Sequence, residues 1–129
     1  MEQSFITGGF NWADLTVEKA EGLKDFYAKV IGYTHTAVEM GGYEDYCMNS
    51  LTDGSTKTGI CHARGVNAEL PPVWLIYFNV ENLETSLDLV KQLGGKIITT
   101  PKSYGPGASY AVIQDPAGAF CALYQPAKA

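Results

Sequence analysis

Trp74-Leu75-Ile76-Tyr77-Phe78-Asn79-Val80-Glu81-Asn82 decides how the chain must be read, because a β-rich run stops there and a helix begins. Val73 to Val80 is strand-like, dense in aromatic and β-branched residues. Asn82 then offers a side-chain oxygen to cap a helix. Leu83, Leu87, Val90 and Leu93 recur at the spacing of one helical face, and Gly94-Gly95 ends it. Lys96 to Thr100, Ser109 to Ile113 and Gly118 to Tyr124 read as three further strands. Tyr104-Gly105-Pro106-Gly107 and Asp115-Pro116 supply the turns between them.

The same order stands upstream. Phe10 to Val17 reads as a strand in which Ala13, Leu15 and Val17 alternate with Trp12, Asp14 and Thr16. Ala20, Leu23, Tyr27, Val30 and Ile31 then mark a helix from about residue 18 to 31, stopped by Gly32. Tyr33 to Met40 and Tyr43 to Asn49 flank Gly41-Gly42, a hairpin signal. Asp53-Gly54 turns the chain into a strand from Lys57 to Ala63. A shift of 63 residues carries Val17 onto Val80, Glu18 onto Glu81, Ala20 onto Leu83, Val30 onto Leu93 and Gly32 onto Gly95. The expected fold class is therefore α+β, with two βαβββ modules at about 10–63 and 73–125 and a connector at 64–72. A half of that size does not bury its sheet alone, so the halves are expected to pack together in a single domain over residues 1–129, with the shared cavity formed within one chain or across a dimer.

Composition narrows the functional classes. A chain of 129 residues with 46% hydrophobic content suits one globular domain. Met1-Glu2-Gln3-Ser4 lacks the basic and apolar features of a secretion signal, and no run reaches the length of a membrane span. The net charge of −5, with no basic run, disfavours nucleic acid; an anionic ligand would need a local exception to that field. Cys47, Cys61 and Cys121 are odd in number and widely spaced, as expected of buried thiols in a cytoplasmic protein.

With the repeat in hand, three stretches resemble the vicinal oxygen chelate superfamily, the glyoxalase/bleomycin-resistance/dioxygenase proteins. Trp74 to Asn82 resembles the opening strand of the second module. Asp115-Pro116-Ala117-Gly118-Ala119-Phe120 resembles the Asp-Pro-x-Gly turn before the last strand. Phe26-Tyr27 with Gly32-Tyr33 resembles the Phe-Tyr…Gly pattern of the first helix. The resemblance implies a curved, incomplete barrel-like sheet with a concave cavity and helices outside. It implies no single activity, since the superfamily holds metal-dependent lyases, isomerases and dioxygenases as well as metal-free proteins that trap antibiotics.

In metal-binding members each module supplies one ligand from its first strand and one from its last. The resemblance carries those positions to Trp12, Leu75, Ala122 and, least firmly, Gly59. None can donate a lone pair to a divalent ion, so neither metal nor other cofactor is expected. Strand alternation then groups Trp12 with Asp14, Leu75 with Tyr77 and Asn79, and Ala122 with Phe120 and Tyr124. This set is the expected ligand-binding wall, with a small, partly aromatic organic molecule as partner and a homodimer as assembly. Asp14 is the candidate acid/base or cation anchor, with a structural hydrogen-bonding role as the competing reading.

Other features point less directly to chemistry. Cys61 and His62 are neighbours on a strand and so face opposite ways. His35 is expected at an edge, and Glu39 and Glu44 in solvent. Lys102 to Ala108 reads as a lid or a plain connector. A sequestering or carrier protein is the first expectation. Its alternatives are a metal-dependent lyase, isomerase or dioxygenase with a displaced site drawn from Asp14, His35, Glu39 or Cys61, and a ligand-free interaction module.

Overall fold

The computed structural model describes residues 5–127 with the exception of Tyr104, so the reading of the chain start and of Tyr104 as a turn residue lies outside the described residues. The fold is mixed α+β, with two α-helices and nine strands among the described residues. By contact the chain divides into two compact units. One is Trp12–Trp74; the other joins the residues up to Asn11 with those from Leu75 onward.

The Trp12–Trp74 unit carries β1 (Phe10–Val17, whose first two residues belong to the other unit), α1 (Ala20–Ile31), β2 (Thr34–Glu39), β3 (Glu44–Asn49) and β4 (Thr56–His62). Its strands lie in the order β2-β3-β4-β1, with β1 parallel to β4 and the remaining pairs antiparallel. A parallel pair requires a crossover, which α1 begins. One sheet face packs on this helix through Ala20, Tyr46, Met48 and Ile60, joined by Val17, Leu23, Tyr27 and Trp74. Full burial of a side chain such as Ile60 contributes about 1.5–3 kcal/mol.

Local chemistry sets the ends of these elements. The helix starts two residues later than the periodicity implied, because Glu18 and Lys19 form a turn and Lys19 gives no side-chain cap. It ends at Gly32, whose φ of 94° is left-handed and whose N–H donates to Ala28 O at 3.0 Å. In the Gly41-Gly42 hairpin both glycines have positive φ, as a tight two-residue turn demands. The Glu39 carboxylate accepts from both of their N–H groups at 2.9 Å, so this exposed residue has a local task.

The second unit repeats the plan with β5 (Trp74–Asn79, whose first residue belongs to the Trp12–Trp74 unit), α2 (Leu83–Gln92), β6 (Lys96–Ile97), β7 (Lys102–Ser103), β8 (Ser109–Gln114) and β9 (Phe120–Gln125). The order is β5-β9-β8-β6, with β7 also on β8, and β5 is parallel to β9 as β1 is to β4. Asn82 caps α2 as expected, its Oδ1 accepting from Thr85 N at 2.9 Å. Leu83, Leu87, Ala111, Ile113 and Leu123 form the core beneath the helix.

Two expectations are corrected here. The strand expected from Lys96 to Thr100 stops at Ile97, the end of β6, and β7 begins only at Lys102. Ile98 N and Thr99 N both donate to Val112 O, while Thr99 Oγ1 accepts from Val112 N at 2.9 Å and takes the place of a ladder carbonyl. Pro101, which has no N–H to donate, stands two residues on. The left-handed counterpart of Gly32 is also Gly94, with φ 94°, and not Gly95. Gly95 is needed for closeness instead: a Cβ there would lie 2.9 Å from Gln114 O and from Val90 Cγ1.

The Asp-Pro-x-Gly turn has a direct physical basis. Asp115 Oδ1 accepts from Ala117 N and Ala119 N at 2.9 and 3.0 Å, and Gly118 takes a φ of 95°. Among the described residues no helix is long and apolar enough to cross a membrane.

Candidate functional site

In each unit the strands have one face under the helix and one face without it. In the Trp12–Trp74 unit, β1 turns Leu15 and Val17 toward the α1 side and Trp12, Asp14 and Thr16 the other way. Trp12 and Asp14 meet: Trp12 Nε1 donates to Asp14 Oδ2 at 3.1 Å, and both are part-buried. In the parallel register Asp14 stands opposite Gly59. A Cβ on Gly59 would come within 3.0 Å of Trp12 Cζ2 and 3.4 Å of Asp14 Cβ, so the indole lies across the bare backbone of β4.

Cys61 follows Gly59 on the same face, opposite Thr16, and Cys47 stands opposite Gly59 on β3. Burial, and then the charges of Asp14 and Asp45, push the Cys61 thiol well above its ordinary pKa, so it stays protonated. His62 points away from it. Its Nδ1 lies 2.8 Å from Glu44 O, and its ring sits beside Tyr43 and Tyr46. His35, on edge strand β2, meets the edge of Tyr46 on the helix side, remote from the Trp12 face.

In the second unit the register gathers the other six expected residues on the face away from α2. Tyr77 stands opposite Ala122 and Asn79 opposite Tyr124; Leu75 and Phe120 precede them on the same side. Leu75, Tyr77, Asn79 and Ala122 are buried, whereas Phe120 and Tyr124 are part-buried. Asn79 is committed locally: its Nδ2 donates to Asn11 Oδ1 at 2.8 Å and to Ile6 O at 3.3 Å. Its backbone also pairs with Gly8 and Gly9. The Phe5 ring lies 5.7 Å from that of Tyr124, centroid to centroid.

Sequence reasoning missed what the neighbouring strands add to this face. Tyr110 stands opposite Tyr124, and its ring lies 5.5 Å from Tyr77. Val112 and Gln114 share its side, and Lys102 on β7 stands opposite Tyr110. Alternation along Ser109 to Ile113 carried part of that signal; the pairing of β7 with β8 had none.

The sequence profile of the Glyoxalase/Bleomycin resistance protein/Dioxygenase superfamily matches residues 9–122. The chain belongs to this superfamily. "Putative glyoxylase CFP32" of Mycobacterium bovis is 28% identical over 121 residues, covering 94% of this chain and 45% of that protein. The anthracycline biosynthesis protein DnrV of Streptomyces peucetius is 27% identical over 133 residues, covering 94% of this chain and 48% of its own length. The chain thus spans about half the length of these relatives.

Among solved structures, methylmalonyl-CoA epimerase from Mycobacterium tuberculosis superposes with a TM-score of 0.60 at 14% identity, covering 99% of this chain and 94% of the epimerase. A superfamily member from Vibrio splendidus gives 0.59 at 16%, covering 88% and 96%. At such identities the likeness establishes the fold alone.

The four positions where the superfamily resemblance places metal ligands hold Trp12, Gly59, Leu75 and Ala122, whose side chains supply no donor for a divalent cation. Among the described residues no three His, Cys, Asp or Glu side chains are grouped to hold an ion. The residues present do not fit a metal in the superfamily's usual place.

Proposed function

We propose that this protein binds a small, partly aromatic organic molecule without a metal ion, as a sequestering or carrier protein. The observation that carries this reading is the Trp12 side chain: at a ligand position stands an indole, laid across Gly59 and bonded to Asp14. The residues proposed for binding are Trp12 and Asp14 on the helix-free face of one unit. On that of the other they are Leu75, Tyr77, Asn79, Phe120, Ala122 and Tyr124. Rings and methyl groups with sparse polar groups are the usual make-up of a small-molecule site. Asn79 acts there by holding the N-terminal segment in place, since its amide is engaged with Ile6 and Asn11.

A cytoplasmic homodimer completes the proposal. The three free thiols support a reducing compartment. Phe26, Val30 and Ile31 on α1 are more than half exposed, and a second copy would cover such apolar surface. Sedimentation equilibrium tests the assembly, and a monomer at micromolar concentration removes it.

Calorimetric titration with a panel of aromatic amides, acids and amines tests the main reading. We expect micromolar affinity for at least one member, weakened by Trp12→Ala or Tyr77→Ala. Absence of heat across the panel overturns it, and stoichiometric zinc, nickel or iron in the purified protein overturns its metal-free part.

An enzymatic reading is favoured by two similarities, in sequence to "Putative glyoxylase CFP32" and in fold to an epimerase. In that case Asp14 is the acid/base. Turnover abolished by Asp14→Asn, with ligand affinity retained, would select it.

A further inference from the structure

The chain carries a net charge of −5, yet the helix-free face of the second unit runs against that field. Strand register places Lys102, Tyr110, Tyr124 and Asn79 in one row across β7, β8, β9 and β5. Lys96 stands on the same face opposite Gln114, farther along the same flank of β8. No acidic residue occupies these strands. Glu81 follows β5, Glu84 and Asp88 lie on α2, and Asp115 is spent on the β8–β9 turn.

The two lysines differ in setting. Lys96 is exposed, whereas Lys102 is part-buried and forms no ion pair among the described residues. Burial lowers the Lys102 pKa, the sign of an ammonium that has lost water and gained no counter-charge. An anion delivered by a ligand would restore that balance. The same face also offers such a ligand the part-buried ring of Tyr110, in the row beside Lys102, with the buried Tyr77 ring behind it at 5.5 Å and tilted by 49°.

We propose that Lys102 is the anion anchor of this face, pairing its ammonium with the carboxylate of a flat aromatic acid whose ring lies against Tyr110 and Tyr77. The proposal rests on the small-molecule reading above and names the ligand class. A single negative charge matches a single ammonium. Lys96 stands opposite a residue four places along β8, roughly 13 Å away at 3.3–3.4 Å per residue, and cannot share one carboxylate with Lys102.

The test is isothermal titration of the intact protein with 2-naphthoate and with its neutral counterpart 2-naphthamide. We expect Lys102→Met to weaken naphthoate binding by about tenfold to hundredfold, as loss of a charge-assisted contact implies, and to leave naphthamide unchanged. Lys102→Arg should retain naphthoate binding. In the unsubstituted protein, naphthoate affinity alone should fall as sodium chloride is raised, a readout independent of any variant's folding. Equal binding of the two probes, unaffected by salt, overturns the anchor while leaving the small-molecule reading intact. If neither probe binds and the wider panel is also silent, both fall together; if the panel binds and naphthoate does not, the anchor alone falls.

Discussion

Replacing Gly59 by Val tests the seat of Trp12 most directly. The new Cβ would sit 3.0 Å from Trp12 Cζ2, already inside the 3.5–4.0 Å at which carbon atoms are comfortable. The γ-methyl groups extend beyond it, so the ring must lift and its 3.1 Å bond to Asp14 must stretch. Overpacking of this kind costs roughly 1–3 kcal/mol. Against it, a strand position gains up to about 1 kcal/mol when Val replaces Gly, from β-propensity and a less disordered unfolded chain. With the full offset the net expectation is a loss of up to about 2 kcal/mol with Trp12 present. In a Trp12→Ala background the contact with the ring is gone and only the 3.4 Å approach to Asp14 Cβ remains, so the same Gly59→Val change should be neutral to stabilising, by up to about 1 kcal/mol. The assay is urea unfolding of the four proteins in the cycle, followed by far-UV circular dichroism. An effect of equal sign and size in both backgrounds would refute the placement of the indole on Gly59.

Three further outcomes are expected. Asp115→Ala removes the acceptor of Ala117 N and Ala119 N and should cost about 1 kcal/mol in urea unfolding, whereas Asp115→Asn, which still accepts, should cost less. Tyr27→Phe leaves the Trp74 Nε1–H without the hydroxyl it reaches at 3.1 Å and should cost about 1–2 kcal/mol in the same measurement. The N–H groups of Gly42 and Gly41 hold the Glu39 carboxyl below its ordinary pKa. Its contribution to stability is therefore present above the unfolded-state value and lost as pH falls through the folded one. The stability gap between wild type and Glu39→Gln should narrow from pH 7 to pH 3, and a gap constant with pH contradicts this linkage.

Most of the fold was legible in the sequence because its signals are local. A period of two placed Trp12 with Asp14, Leu75 with Tyr77, and Phe120 with Tyr124, and the register keeps each pair on one face. The capping oxygen of Asn82, the double glycine at 41–42 and the Asp115 turn act within a few residues, so their chemistry can be read before the chain folds. The break between β6 and β7 was less accessible. Pro101 is visible in the sequence, but the hydroxyl of Thr99 could be assigned to Val112 only once β8 was alongside.

Tertiary structure alone decided who stands beside whom. Asn79 read as a polar group available to a ligand, yet its amide is held by Asn11, 68 residues away, and by Ile6. Gly59 read as a blank position, and only the parallel pairing of β1 with β4 shows it as the floor under Trp12. Lys102 read as a loop residue until β7 set it opposite Tyr110. The physical reason is common to all three: side-chain direction follows from the backbone repeat of a single strand, but neighbours across a sheet follow from register, which is fixed by burial and turns summed over the whole fold.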